Sequence, residues 1–208
     1  GVSNLKPGQV LLLYGPSGVG KSSLVHAGLM PRLKDQGWYV NYTRRDKQQP
    51  LAKLLSDTVR KAIKHTEKKQ LLIFDQLEEI FIEIREKDEA ILFFKQLQFT
   101  VQNYPSIKII LGFRKEYQQE IENFLSPQKF HILFVRFPLS PLSLQGMRRA
   151  VEGVFKSPTI IHKFPVLENS FLEPAFVEML TEDIDQDHVS NKAPLLQYQL
   201  LSVYQKAL

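Results

Sequence analysis

The sequence predicts a three-layer α/β fold on a five-stranded, mainly parallel sheet, followed by a small all-helical unit. Three observations carry that expectation. Short apolar runs alternate with segments of helical periodicity as far as residue 137. Such alternation implies parallel strands joined by right-handed crossovers. From Pro138 onward, beginning "PLSPLSLQ", only helical patterns remain. We therefore expect a sheet domain over residues 1–138 and a helical, lid-like domain over residues 139–208.

The elements follow in order. Gln9–Tyr14 is a continuous apolar run, as in a strand buried on both faces. A glycine-rich loop comes next, then a helix from Lys21. Pro31 is expected to kink or end that helix, because its ring removes a hydrogen bond and restricts Met30. A short helical turn over Pro31–Asp35 stops at Gly37. Trp38–Thr43 reads as the second strand. Leu51–Lys64 has apolar residues at helical spacing. Leu71–Phe74 is a third strand, ending on Asp75. Glu89–Tyr104 is an amphipathic helix, Lys108–Phe113 a fourth strand, Glu116–Leu125 a helix stopped near Pro127, and His131–Phe137 a fifth strand. In the helical unit, Leu144–Val154 comes first. Ser170-Phe-Leu-Glu173 is a capping box that opens a second helix. Asn191 caps a third, which tolerates Pro194 in its first turn.

Composition narrows the classes. With 43% hydrophobic and 24% charged residues, a 208-residue chain can bury a sizeable core. The longest apolar runs fall far short of the roughly 20 residues that span a bilayer. The N-terminal GVSNLKPGQ lacks the pattern of a secretory signal. No membrane partner is expected. The chain has no cysteine, which excludes disulfides, thiol catalysis and cysteine-held zinc, and fits a cytoplasmic, reducing location. The net charge of +5 is modest. Its most basic stretch, Arg60–Lys69, has no interleaved aromatics, so nucleic acid is a conceivable partner but not the favoured one. Strand signals start near Gln9 and the last helical pattern reaches Leu208 without a stop signal, as expected of a fragment of a longer protein.

The chemistry begins at "GPSGVGKSS": Gly15, Pro16, Ser17, Gly18, Val19, Gly20, Lys21, Ser22 and Ser23. This is a full phosphate-binding loop, G-x-x-x-x-G-K-[ST], between a buried strand and a helix, the context the motif requires. Its glycines let backbone N–H groups turn toward phosphates, and the helix start adds a positive dipole end. Lys21 would neutralise the outer phosphates, and Ser22 would offer its hydroxyl to Mg²⁺. "LLIFDQLEEIF" supplies the acids. Asp75 ends a strand at the carboxyl edge of the sheet, where ligands bind in such folds, and could hold Mg²⁺ with Ser22. Glu78 and Glu79 follow, and one of them could orient or activate the attacking water. Arg114, ending the fourth strand in "ILGFRKEY", reaches the same edge and could sense the terminal phosphate. Arg44, Arg45 and Asp46 reach it too. Asp183–Asp187 mimics the start of an EF-hand loop but lacks its glycine and its final glutamate. No guanine-specifying N-K-x-D is present, which points to ATP and ADP.

These residues together resemble a STAND NTPase, a signal-transduction ATPase of the AAA-related class. The pattern is that of the novel bacterial branch often fused to WD repeats. It is carried by "GPSGVGKSSLVHAGLMPRL", "LLIFDQLEEIF", "FRKEY", "PLSLQGMRRAVEG" and "APLLQYQLLSVY", nearly the whole chain. The resemblance implies a nucleotide switch with ADP holding a closed state and ATP permitting homo-oligomerisation. It implies sensor and effector domains in the same longer protein, and a helical-domain proline, here Pro194, at the nucleotide. "FRKEY" lacks the aspartate common in the family, so only Arg114 is carried over. Slow hydrolysis is expected, since no arginine finger is obvious in cis; Arg148 and Arg149 are candidates. The alternative is a DNA-handling ATPase of the loader or transposition type. A small-molecule phosphotransferase is disfavoured by the lack of a lid or acceptor insertion before residue 138.

Overall fold

The molecule is described from a computed structural model over residues 2–44, 49–81 and 87–155, with residues 178, 181, 182 and 184. Strand β1 (Val10–Gly15) is buried along its whole length, as a run of apolar residues on a central strand must be. Strands β2 (Tyr39–Arg44), β3 (Gln70–Asp75), β4 (Lys108–Arg114) and β5 (Phe134–Pro138) complete one sheet in the order β2-β3-β4-β1-β5. Every pairing is parallel. From β1 the chain crosses to the far edge at β2, returns through β3 and β4 to β1, then crosses to β5 on its other side. The carboxyl end of β1 therefore lies at a topological switch point.

Period-two alternation splits the core. One face carries Val10, Leu12, Leu72, Phe74, Ile109, Leu111 and Phe113. Helices α3 (Leu51–Ala62), α4 (Lys87–Asn103) and α5 (Gln118–Leu125) supply the residues that cover it, including Leu55, Val59, Phe93, Phe94, Leu97 and Ile121. The other face carries Leu11, Leu13, Leu71, Ile73 and Ile110 beneath Val25, Leu33 and Trp38. Glu89 in α4 accepts the N–H of Leu51 at 2.7 Å, a cap for α3 that Pro50 cannot provide. At the other end of α3, the Gln70 amide donates to the carbonyls of Ala62 and His65.

Two local expectations change. Pro31 does not end the first helix. Helix α1 (Lys21–Ser23) continues as a π-helix over Leu24–Leu29 and then as α2 (Met30–Asp35), with Met30 still in the right-handed helical region. Pro31 falls at the start of α2, where a missing N–H costs little, and the wider turn before it absorbs the mismatch. Second, β5 begins at Phe134 and not at His131. His131 takes a left-handed φ of +48° and donates to the Ser126 carbonyl, so the chain is still turning there. Arg136 on β5 then grips Glu122 of α5 with two bonds, 2.8 and 2.6 Å, which hold the Glu122 carboxyl below its usual pKa.

By compactness the chain divides into residues 1–15 with 21–139, and residues 16–20 with 140–208. In the second unit, helix α6 (Leu144–Phe155) is capped by Ser143, whose hydroxyl accepts the Gly146 N–H and whose carbonyl accepts that of Met147. Arg148 donates to Glu178 at 3.0 Å and lies 3.7 Å from Glu182. The capping box at Ser170 and the expected helix after Asn191 lie outside the described residues.

Candidate nucleotide site

Because all five strands are parallel, their carboxyl ends share one edge. Gly15 stands opposite Arg114 across the β1–β4 pair, and Arg44 opposite Asp75 across β2–β3. Residues 16–20 join the end of β1 to the start of α1. Gly18 and Gly20 take φ of +74° and +97°, which side-chain-bearing residues rarely adopt. Val19 turns inward and is buried, while Ser17, Gly18 and Ser23 are exposed.

Lys21 donates to the Gly15 carbonyl at 2.8 Å. Burial lowers its ammonium pKa, against the charges of Glu78, Asp75 and Glu116, which raise it.

Asp75 is only 5% exposed and is fixed on three sides. The Ser22 hydroxyl donates to its Oδ2 at 2.6 Å, and the Tyr42 hydroxyl to the same oxygen at 2.8 Å. The Gln76 N–H donates to Oδ1 at 3.0 Å. Gln76 reaches that position with a left-handed φ of +59°, and its own Oε1 is buried with no partner among the described residues. Burial first, then the bond to Asp75, push the Tyr42 phenol well above its usual pKa, so it remains a donor. Gly112 makes room from β4: a Cβ there would sit 2.8 Å from Asp75 Oδ1. The His26 ring closes on Tyr42 at 4.2 Å.

Glu78 and Glu79 divide. Both lie on the 3-10 turn Leu77–Phe81. Glu78 is 3% exposed and meets Arg114 twice, at 3.1 Å from the guanidinium Nε and 3.3 Å from the backbone N–H. Burial raises its pKa above the usual carboxylate value, opposed by those bonds and by the charges of Arg114 and Lys21. Glu79 is more open and lies 4.0 Å from Arg44. The Arg114 side chain is half exposed. Thus Lys21, Ser22, Asp75, Glu78 and Arg114 share one edge and interact. Arg45, Asp46 and Pro194 lie outside the described residues.

Three contributors escape sequence reasoning. Gly112 interrupts an apolar strand, which is a signal of close approach. Tyr42 carries no such signal, because its role depends on which strand pairs beside β3. Glu116 acts only through its charge on Lys21.

The donor set suits a hard cation. One carboxylate and one hydroxyl, with waters and phosphates completing the shell, is the way proteins hold Mg²⁺ with nucleotides. No cluster of three or more His, Asp or Glu that could cage a metal occurs among the described residues.

Comparison with known proteins decides the family. The profile of novel STAND NTPase 1 matches residues 2–207. The chain belongs to that family. It is a P-loop NTPase of the STAND type. Among curated proteins no relative matches by sequence. Solved structures share the fold at low identity. AMPPCP-bound DnaA from Aquifex aeolicus is 16% identical with a TM-score of 0.55, over 98% of this chain and 57% of that one. The ORC2 protein of Aeropyrum pernix is 15% identical with a TM-score of 0.56, over 87% of this chain and 52% of that one. The S. cerevisiae Hsp104 of a casein complex is 13% identical with a TM-score of 0.62, over 97% of this chain and 34% of that one. This chain thus spans little more than half the length of the first two. No helix among the described residues is long and apolar enough to cross a membrane.

Proposed function

We propose that this STAND NTPase is the nucleotide-binding module of a signalling protein, an ATP/ADP switch with slow hydrolysis that controls domain packing and oligomerisation. The observation that carries the reading is the linked cluster at one sheet edge: Lys21 on the loop, Ser22 on Asp75, and Glu78 on Arg114. Lys21 and the N–H groups of residues 17–23 bind the phosphates. Ser22 and Asp75 would hold Mg²⁺, which supplies charge neutralisation between the phosphates. Glu78, more than Glu79, suits the general base, since it is buried, held by Arg114, and has its pKa raised by that burial. It takes a proton as water attacks the terminal phosphorus and the bond to the bridging oxygen breaks.

Arg114 supplies the switch. In the ADP state it neutralises Glu78. A terminal phosphate competes for the same guanidinium and frees the Glu78 carboxylate. The two nucleotides thereby acquire different affinities for the two arrangements, which any ligand-driven switch requires. The division into a sheet domain and a helical domain, the approach of Pro194 to the nucleotide, the sensor and effector domains and the cytoplasmic location belong to this same proposal.

The test is nucleotide binding by the 208-residue chain. Lys21→Ala is expected to weaken ATP and ADP binding by about two orders of magnitude, and unchanged affinity would sink the reading. The DNA-handling alternative draws on the fold likeness alone. It predicts salt-dependent binding to duplex DNA, and no binding at low salt removes it.

A further inference from the structure

The parallel sheet has a second edge, roughly 20 Å from the first by the rise of six-residue strands. There the amino ends of β3 and β4 and the approach to β2 surround an open cavity of about 640 Å³. That size falls in the range of small-molecule sites. Its walls are apolar and aromatic at Ile63, Ile107, Trp38 and Tyr104, and its charges are mainly ammonium groups, on Lys68, Lys69 and Lys108.

The charge balance is uneven. Glu67 is the one carboxylate in the lining, and it lies 3.8 Å from His65. Lys108 is half-buried, and its ammonium donates to the Leu5 carbonyl. That bond uses one of three donors. Burial lowers its pKa, with no carboxylate among the described residues acting to raise it. Lys69 places its ammonium 5.7 Å from the centre of the Trp38 ring. A partly desolvated cation with no counter-charge among the described residues, beside an apolar wall, calls for an anion with an apolar body. Lysines are compact point charges and suit phosphate better than the planar carboxylate that arginine grips.

We propose that this cavity is a second ligand site, which takes a small organic phosphate whose ring or chain lies along Tyr104, Ile63 and Ile107 and whose phosphate meets Lys108, Lys68 and Lys69. The site is independent of the nucleotide site and of its function.

Trp38 is the only tryptophan of the chain and lines the cavity, so its emission reports on this site. The experiment titrates phenyl phosphate, and separately inorganic phosphate, into the Lys21→Ala chain, which removes binding at the phosphate loop. Trp38 emission and heat are both recorded. Phenyl phosphate is expected to saturate, and to bind about fivefold more tightly than inorganic phosphate through its buried ring. Lys108→Gln is expected to weaken it roughly tenfold, through loss of a charge-assisted bond. The exposed pair Lys68→Gln/Lys69→Gln, which leaves the core untouched, is expected to weaken it as well. Non-saturating emission and heat overturn the proposal. So does equal affinity for inorganic phosphate, or a Lys68→Gln/Lys69→Gln chain that binds as tightly as its parent.

Discussion

The two faces of the sheet differ in what covers them and in what they display. On one face, three helices and a set of edge-to-face and stacked rings cover the strands. Phe94 lies 4.8 Å from Phe124 and 5.3 Å from Phe93, and Phe74 meets Phe93 at 5.8 Å. On the other, the covering residues come from the N-terminal segment at Val2 and Leu5, from the π-helix, α2 and Trp38, and the cluster is smaller. The alternation that puts Leu71 and Ile73 on this thinner face puts Asp75 there too. Likewise Tyr42 follows Val40, and Gly112 and Arg114 follow Ile110. One side thus supplies most of the buried aromatic area, and the other presents the chemistry. Stability and nucleotide handling should separate under mutation.

The largest expected effect is on the aromatic face. Phe94→Ala should cost about 3–5 kcal/mol of stability, read by chemical denaturation, while the nucleotide affinity of the folded fraction stays within twofold. An affinity change beyond that breaks the separation. Gly112→Ala comes next, because its methyl would collide with Asp75 Oδ1. It should cost about 1–3 kcal/mol and reduce affinity for ATP with Mg²⁺ more than affinity in EDTA, measured by paired titrations. Tyr42→Phe removes one hydroxyl from Asp75, worth about 1 kcal/mol. It should raise the Mg²⁺ concentration needed for half-maximal ATP binding severalfold and leave EDTA-phase binding unchanged.

The smallest effect is a slope. Burial raises the Glu78 pKa. Between the ordinary carboxylate value and that raised value, the folded chain holds a proton that the unfolded chain has released. Folding stability therefore declines as pH rises through this window. Glu78→Gln should flatten the decline in urea titrations across mildly acidic pH; an unaltered slope would assign it to another group.

Much of this was legible in the sequence because the signals are local. Five apolar runs set five strands, and the loop with its lysine and serine is contiguous. Asp75 and Arg114 could be placed at one edge because each ends a strand of a parallel sheet. The choice between Glu78 and Glu79 was not legible, since both follow Asp75 on one turn and only the approach of Arg114 separates them. Tyr42 was hidden for the same reason: its partner is thirty-three residues away across a strand pair. Of the two outcomes expected at Pro31, a kink or an end, the end does not occur, because the chain answers with a wider turn before α2.

Gln76 shows what holding Asp75 costs the chain. It sits in a left-handed conformation that glycine would adopt freely, and its buried side-chain oxygen has no partner among the described residues. Such strain is worth on the order of 1 kcal/mol. A tighter fold is therefore one substitution away, and the residue in place sets strain at the junction of β3 and the acidic turn.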